Sequence, residues 1–181
     1  KALDEHIRIL QDYAIVVKFN PKNILLTKSK FDITELIEQI LSNLDAFIEE
    51  RNLNIHKNFP TSDKQVDLDR NHLSQAFQLL ISQAISQTPA DGDIAITVEF
   101  AEENSQKVMK FCVHDGGPPL DKEELDLMID RFEQARMDKV SLDKNISLTL
   151  CKMIVEAHSG KFWAESSPPI GNYYKGIIPI V

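Results

Sequence analysis

Few side chains in this sequence are placed to do chemistry, and those few suit recognition of a ligand better than attack on a bond. The run Phe111-Cys-Val-His-Asp115-Gly116-Gly117-Pro118-Pro119-Leu120 ends a strand-like stretch on a carboxylate and two glycines, where the chain must turn sharply. Asp115 offers hydrogen-bond acceptors there, although an Asp-Gly turn is among the commonest turn signals. Pro119 fixes φ and removes an N–H from the same loop. Gln83 carries an amide oxygen beside the apolar stripe of a helical segment and reads first as a helix-surface amide. Ser147 opens another helical segment, where its hydroxyl can cap orphan backbone donors. Arg136, Lys139 and Lys144 give the preceding loop cations that attract anions, and a solvated basic loop is the commoner reason for them. The five histidines show no metal-ligand spacing, and His158 suits a helix end. Neither Ser147 nor Ser159 has a His–acid partnership of the kind nucleophilic hydrolysis needs.

The elements that must position these groups follow from periodicity. Leu3, Ile7, Leu10, Ala14 and Val17 recur at helical spacing, and Asn20-Pro21 stops that helix. Ile24 to Thr27 reads as a short extended piece. A second helix is predicted over Ile33–Asn52, capped by Asp32 or Thr34, with Ile37, Leu41, Leu44 and Ile48 as its apolar line. Asn54 to Phe59 alternates like a strand. A third helix over Asn71–Ser86 carries a core stripe of Leu73, Ala76, Phe77, Leu80, Ala84 and Ile81, with Leu79, Gln83 and Ser86 on a neighbouring line. Ile94–Ala101 and Lys107–His114 pair as antiparallel strands. Leu120–Phe132 and Ile146–His158 are helical by pattern, and Lys161–Glu165 and Tyr174–Ile180 are strands. Helices and strands that do not alternate strictly give an α+β two-layer sandwich, a mixed, mostly antiparallel sheet with helices on one face.

Composition narrows the function classes. A chain of 181 residues, 43% hydrophobic and 27% charged, suits one domain with a short appendage. Its net charge of −8 argues against a nucleic-acid surface, which needs clustered Lys and Arg. Cys112 and Cys151 lie in apolar runs and read as buried free thiols of a reduced compartment. No apolar run spans a bilayer and no signal peptide is evident, so a cytoplasmic location with no membrane contact in this segment is expected.

Taken in order, the segments around Asp115-Gly116-Gly117, Met128-Ile-Asp130-Arg131-Phe132-Glu-Gln134, Asn145-Ile-Ser147-Leu148 and Val155-Glu-Ala-His158-Ser-Gly160 resemble the ATP-binding domain of sensor histidine kinases. This is the Bergerat-type fold shared with Hsp90, gyrase B and MutL. His158-Ser-Gly-Lys-Phe-Trp163-Ala-Glu165-Ser is similar to the family's HGGxxWxES segment, and Gly171 through Pro179 to its closing strand. By that resemblance residues 1–19 are the tail of a dimerisation-hairpin helix, 20–30 a junction and 31–181 the ATP-binding domain.

The resemblance also implies roles. Asp115 would accept from the adenine amino group, Gly117 match the first obligatory glycine, and Gln83 stand where an Asn holds Mg²⁺. Asn145 and Ser147 would stand where glycines approach the phosphates. Departures from the pattern are as informative. The second glycine is Pro119, the other positions of the Asn line are Leu79 and Ser86, and Gln83 is one methylene longer than the family's Asn. Magnesium demands near-ideal octahedral geometry, so that extra methylene matters. Phosphoryl transfer depends almost entirely on positioning and charge stabilisation. The expectation is therefore a degenerate ATP-binding-type domain, a pseudokinase module with weak or no binding of ATP and Mg²⁺. It would dock on a response regulator or on a partner kinase's dimerisation hairpin, within a full-length homodimer. The alternative is an active domain that phosphorylates a His elsewhere.

Overall fold

The computed structural model describes residues 24–62, 64–126, 146–166, 168–169 and 171–180. The helix expected over Leu3–Val17, the second half of the helix expected over Leu120–Phe132 and the basic loop before Ile146 lie outside the described residues. The elements are β1 (Ser29–Asp32), α1 (Ile33–Glu50), β2 (Asn54–Asn58), β3 (Gln65–Leu68), α2 (Arg70–Gln87), β4 (Asp93–Glu103), β5 (Gln106–Asp115), α3 (Ile146–Ala157), β6 (Lys161–Ser166) and β7 (Asn172–Pro179).

Five strands form the main sheet in the order β2-β4-β5-β7-β6. β2 runs parallel to β4, and every other pairing is antiparallel. This is the mixed, mostly antiparallel sheet expected, with the helices on one face. β5 lies at its centre and ends on Asp115, which pairs with Asn172 of β7. β4 and β5 are joined by Asn104-Ser105, both at positive φ (49° and 62°). A two-residue turn of that kind matches the right-handed twist of the strands it joins. A second, two-stranded sheet of β1 and β3 was not foreseen. The extended piece expected at Ile24–Thr27 is not a strand; β1 begins at Ser29, where Phe31 and Val66 can pair and be buried.

Local chemistry accounts for the helix boundaries. Asp32 is the N-cap of α1, its Oδ1 accepting from Thr34 N at 2.8 Å and Glu35 N at 3.2 Å. Ile33, Leu36, Ile37, Ile40, Leu41 and Leu44 form the buried face of α1. α2 is buried more fully than its stripe suggested, because Leu79, Gln83 and Ile85 are covered as well. It is packed between α1, α3 and the sheet. At its C-terminus the Arg51 guanidinium donates to the carbonyls of Ile85 (2.5 Å) and Thr88 (2.6 Å), satisfying acceptors that the helix cannot.

A buried polar joint fixes the other end of α2. Asp69 caps the helix by accepting from His72 N at 2.9 Å, and its second oxygen accepts from Thr27 N at 2.6 Å. The Asp69 N–H donates to His158 Nε2 at 3.2 Å, and His158 Nδ1–H donates to the Ile154 carbonyl at 2.7 Å. His158 is thus a neutral ring at the end of α3, as its place in the sequence suggested. Ser159 follows in the left-handed conformation (φ 61°) and closes the helix. Cys151 is buried and Cys112 only half-buried, so the expectation of two buried thiols holds for one of them.

Candidate nucleotide site at the end of the central strand

Asp115 is fully buried at the end of β5. Its Oδ1 accepts from the Gly117 N–H at 2.9 Å, from the Asn172 N–H at 3.3 Å and from Asn172 Nδ2 at 3.1 Å. Its Oδ2 accepts from the Tyr174 hydroxyl at 2.8 Å. Every one of these partners is a donor. An ionised carboxylate has about four lone-pair sites, and the chain supplies four donors from Gly117, Asn172 and Tyr174. Tyr174 is itself completely buried. Burial and the adjacent Asp115 carboxylate push its phenol well above the usual tyrosine range, so it stays protonated and donating.

Asn172 extends this cluster into the loop after β5. Its Nδ2 also donates to the Pro118 carbonyl at 3.0 Å, and its Oδ1 accepts from Leu120 N at 3.0 Å. One side chain therefore ties the closing strand to both sides of Pro119, whose own nitrogen has no hydrogen to give. Thr88 adds a link from α2. Its hydroxyl donates to the Ala84 carbonyl at 2.8 Å and accepts from Gly116 N at 3.1 Å.

The two glycines that matter here do so through close approach. A Cβ on Gly117 would stand 3.0 Å from both Asp115 Oδ1 and the Gln87 carbonyl, so a side chain there would press on the carboxylate. Gly117 is not in the left-handed region; tight packing is what requires it. Gly171 does adopt a positive φ of 101°, and a Cβ there would collide with the Asp115 carbonyl.

Gln83 lies elsewhere on α2 and is not the surface amide expected. It is only 5% exposed, because its line on the helix is covered along with Leu79. Its Nε2 is buried with no acceptor among the described residues. Ser86 is half-buried and donates to the Gln83 carbonyl at 2.8 Å. Ser147 falls in the first turn of α3, and Asn145 lies outside the described residues. The residues singled out in the sequence are therefore brought together only in part. Asp115 and Gly117 touch each other, while no hydrogen bond among the described residues joins either of them to Gln83. Sequence reasoning missed Asn172 and Tyr174, the two residues that decide the state of Asp115. The alternation of β7 was the available signal, since it sends both side chains to the same face as the buried carboxylate.

The sequence pattern of the Histidine kinase-, DNA gyrase B-, and HSP90-like ATPase family matches residues 68–180. The chain belongs to this ATPase family. Curated relatives of this chain include the adaptive-response sensory kinase SasA of Microcystis aeruginosa, 26% identical over 173 residues, covering 96% of this chain and 44% of the relative. Another is the sensor histidine kinase WalK of Bacillus subtilis, 26% identical over 164 residues, with 88% of this chain and 26% of the relative covered. The chain thus spans less than half the length of either.

Among solved structures, the domain superimposes on the nucleotide-free catalytic domain of histidine kinase ThkA with a TM-score of 0.71 at 24% identity, covering 85% of this chain and 96% of that one. It also superimposes on ThkA in its complex with the response regulator TrrA, at a TM-score of 0.72 and 23% identity, covering 99% of this chain and 48% of that one. At such identities the structural likeness speaks for the fold. Membership of the ATPase family implies a nucleotide site, typically with magnesium, and the residues on this chain fit that group poorly. The carboxylate implied for adenine already carries four of the protein's own donors, three on Oδ1 and the Tyr174 hydroxyl on Oδ2. At the position implied for the metal, Gln83 offers one amide oxygen on a side chain a methylene longer than Asn, whereas Mg²⁺ demands near-ideal octahedral geometry. Among the described residues no helix is long and apolar enough to cross a membrane.

Proposed function

We propose that this chain is the ATP-binding-type domain of a two-component sensor histidine kinase in which the nucleotide is held weakly or not at all, so that it works as a pseudokinase signalling module. The observation that carries this reading is the state of Asp115, buried with its acceptors taken by Gly117, Asn172 and Tyr174. An adenine amino group there has to compete with the Tyr174 hydroxyl for Oδ2, and a buried donor left unpaired carries a desolvation cost. The replacements at Leu79, Pro119, Asn145 and Ser147 point the same way, each removing a donor, a ligand or a close backbone approach that phosphates use. On this reading residues 1–19 are the end of a dimerisation helix, 20–30 the junction and 31–181 the signalling domain. Its partner is a response regulator or the dimerisation hairpin of a kinase, in a cytoplasmic, homodimeric full-length protein.

A second reading has one observation in its favour. The buried, unpartnered Nε2 of Gln83 is a donor in want of an acceptor, and a phosphate or base oxygen would supply one. An active domain that still binds ATP and phosphorylates a His elsewhere would use it so. Calorimetric titration of ATP and ADP, with Mg²⁺ and again with EDTA, separates the two. No heat at millimolar nucleotide supports the signalling module. Magnesium-dependent binding at micromolar concentration overturns it in favour of the active domain.

A further inference from the structure

We propose that Tyr174 and Asn172 act as a built-in stand-in for the nucleobase, and that the Tyr174 hydroxyl is the group that excludes a 6-aminopurine from Asp115. This rests on the reading of Asp115 as the base-recognition carboxylate and explains why that site would be silent. The two oxygens of Asp115 differ. Oδ1 is oversubscribed, with the Gly117 and Asn172 backbone N–H groups and the Asn172 amide on it. Oδ2 receives only the Tyr174 hydroxyl, at 2.8 Å. The accepting capacity that an exocyclic amino group could use is therefore on Oδ2, and a single removable oxygen atom guards it. The Asn172 donors are harder to remove, because the same side chain holds Pro118 and Leu120 and its backbone belongs to the sheet.

The substitution Tyr174→Phe takes away the donor while keeping the ring that fills the core. Oδ2 is then buried without a partner in the free protein, and a ligand amino group satisfies it. The gain belongs to bases that carry a donor at that position and not to those that carry a carbonyl there. ADP and IDP differ along this edge of the base, the 6-amino donor becoming a carbonyl and N1 gaining a hydrogen in IDP, which makes the pair a probe of hydrogen bonding there and not merely of a loosened pocket.

The test is calorimetric titration of ADP and IDP into the wild-type chain and into Tyr174→Phe, with thermal melting of both proteins alongside. Weak ADP binding by the wild type, with a gain of about tenfold or more in the variant for ADP but not IDP, is the expected result. Equal gains for both nucleotides, or none in a variant that melts cooperatively, overturn the role of Tyr174 and leave the signalling-module reading standing. Tight ADP binding by the wild type overturns both. Should Tyr174→Phe not fold, Tyr174→Met takes its place. That change also takes the hydroxyl off Oδ2 while a flexible apolar side chain fills the core, and the same contrast of ADP with IDP decides the matter.

Discussion

Two buried aspartates, Asp69 and Asp115, sit at strand ends in the same domain, yet they are satisfied in different ways. Asp69, 3% exposed, receives a backbone N–H on each oxygen, from His72 and from Thr27, with the His72 ring nitrogen 3.0 Å from the second oxygen as well. Asp115 receives backbone groups on one oxygen, but the other depends on the side chain of Tyr174 alone. A carboxylate held by backbone is committed to structure. One held by a side chain can be released by a single substitution without redirecting the backbone. The first is a joint, and the second is a recognition group whose place is already filled.

The largest expected effect tests the joint. Asp69→Ala removes the cap of α2 and the charge-assisted tie to the Thr27 N–H, and should lower stability by about 3 kcal/mol in urea unfolding. Tyr174→Phe should cost less, about 1–2 kcal/mol without ligand, since one donor is lost and the ring remains. If the order were reversed, the distinction between joint and filled site would fail. Arg51→Met, which frees the last carbonyls of α2 near Thr88, should cost about 1 kcal/mol by the same assay. Glu38, an exposed carboxylate paired with Lys57 at 2.9 Å, sets the lower bound, and Glu38→Gln should change stability by no more than about 0.5 kcal/mol.

Acidification sharpens the same comparison. Burial holds the His158 pKa below its ordinary value of 6.5, against the Ile154 hydrogen bond and the nearby Asp69 that favour the charged ring. The folded protein therefore binds fewer protons at His158 than the unfolded chain does. Its contribution to stability is complete above about pH 6.5 and is lost progressively as pH falls below it. Burial also raises the Asp69 carboxyl, but the hydrogen bonds from His72 and Thr27 together outweigh it and keep the group below 3.8, so Asp69 takes no part in that window. Urea midpoints at pH 7.5 and 5.5 should differ in the wild type, and the difference should shrink in His158→Gln.

What was legible in the sequence follows the range of the interactions. The Asp32 cap, the α1 and α2 stripes and the β4–β5 hairpin depend on residues a few positions apart, and periodicity reveals them. β1 and β3 are four residues each and pair across α1, so neither carries enough alternation to be seen alone. The burial of Gln83 depends on what packs over α2, which no helical wheel contains. Asp115 was recognisable from the Asp-Gly-Gly turn, but its donors lie 57 and 59 positions further on. The sequence could mark the carboxylate without telling whether it was open or taken.

Trp163, the chain's single tryptophan, stands half-buried on β6, its indole N–H donating to Glu165 at 2.7 Å on the sheet face away from the helices. β6 is hydrogen-bonded to β7, where Trp163 is opposite Lys175, the immediate neighbour of Tyr174. The protein thus carries its own fluorophore one strand away from Tyr174 and two from the carboxylate it holds. Its emission can report rearrangement of β7 in unlabelled protein, at concentrations far below those calorimetry requires.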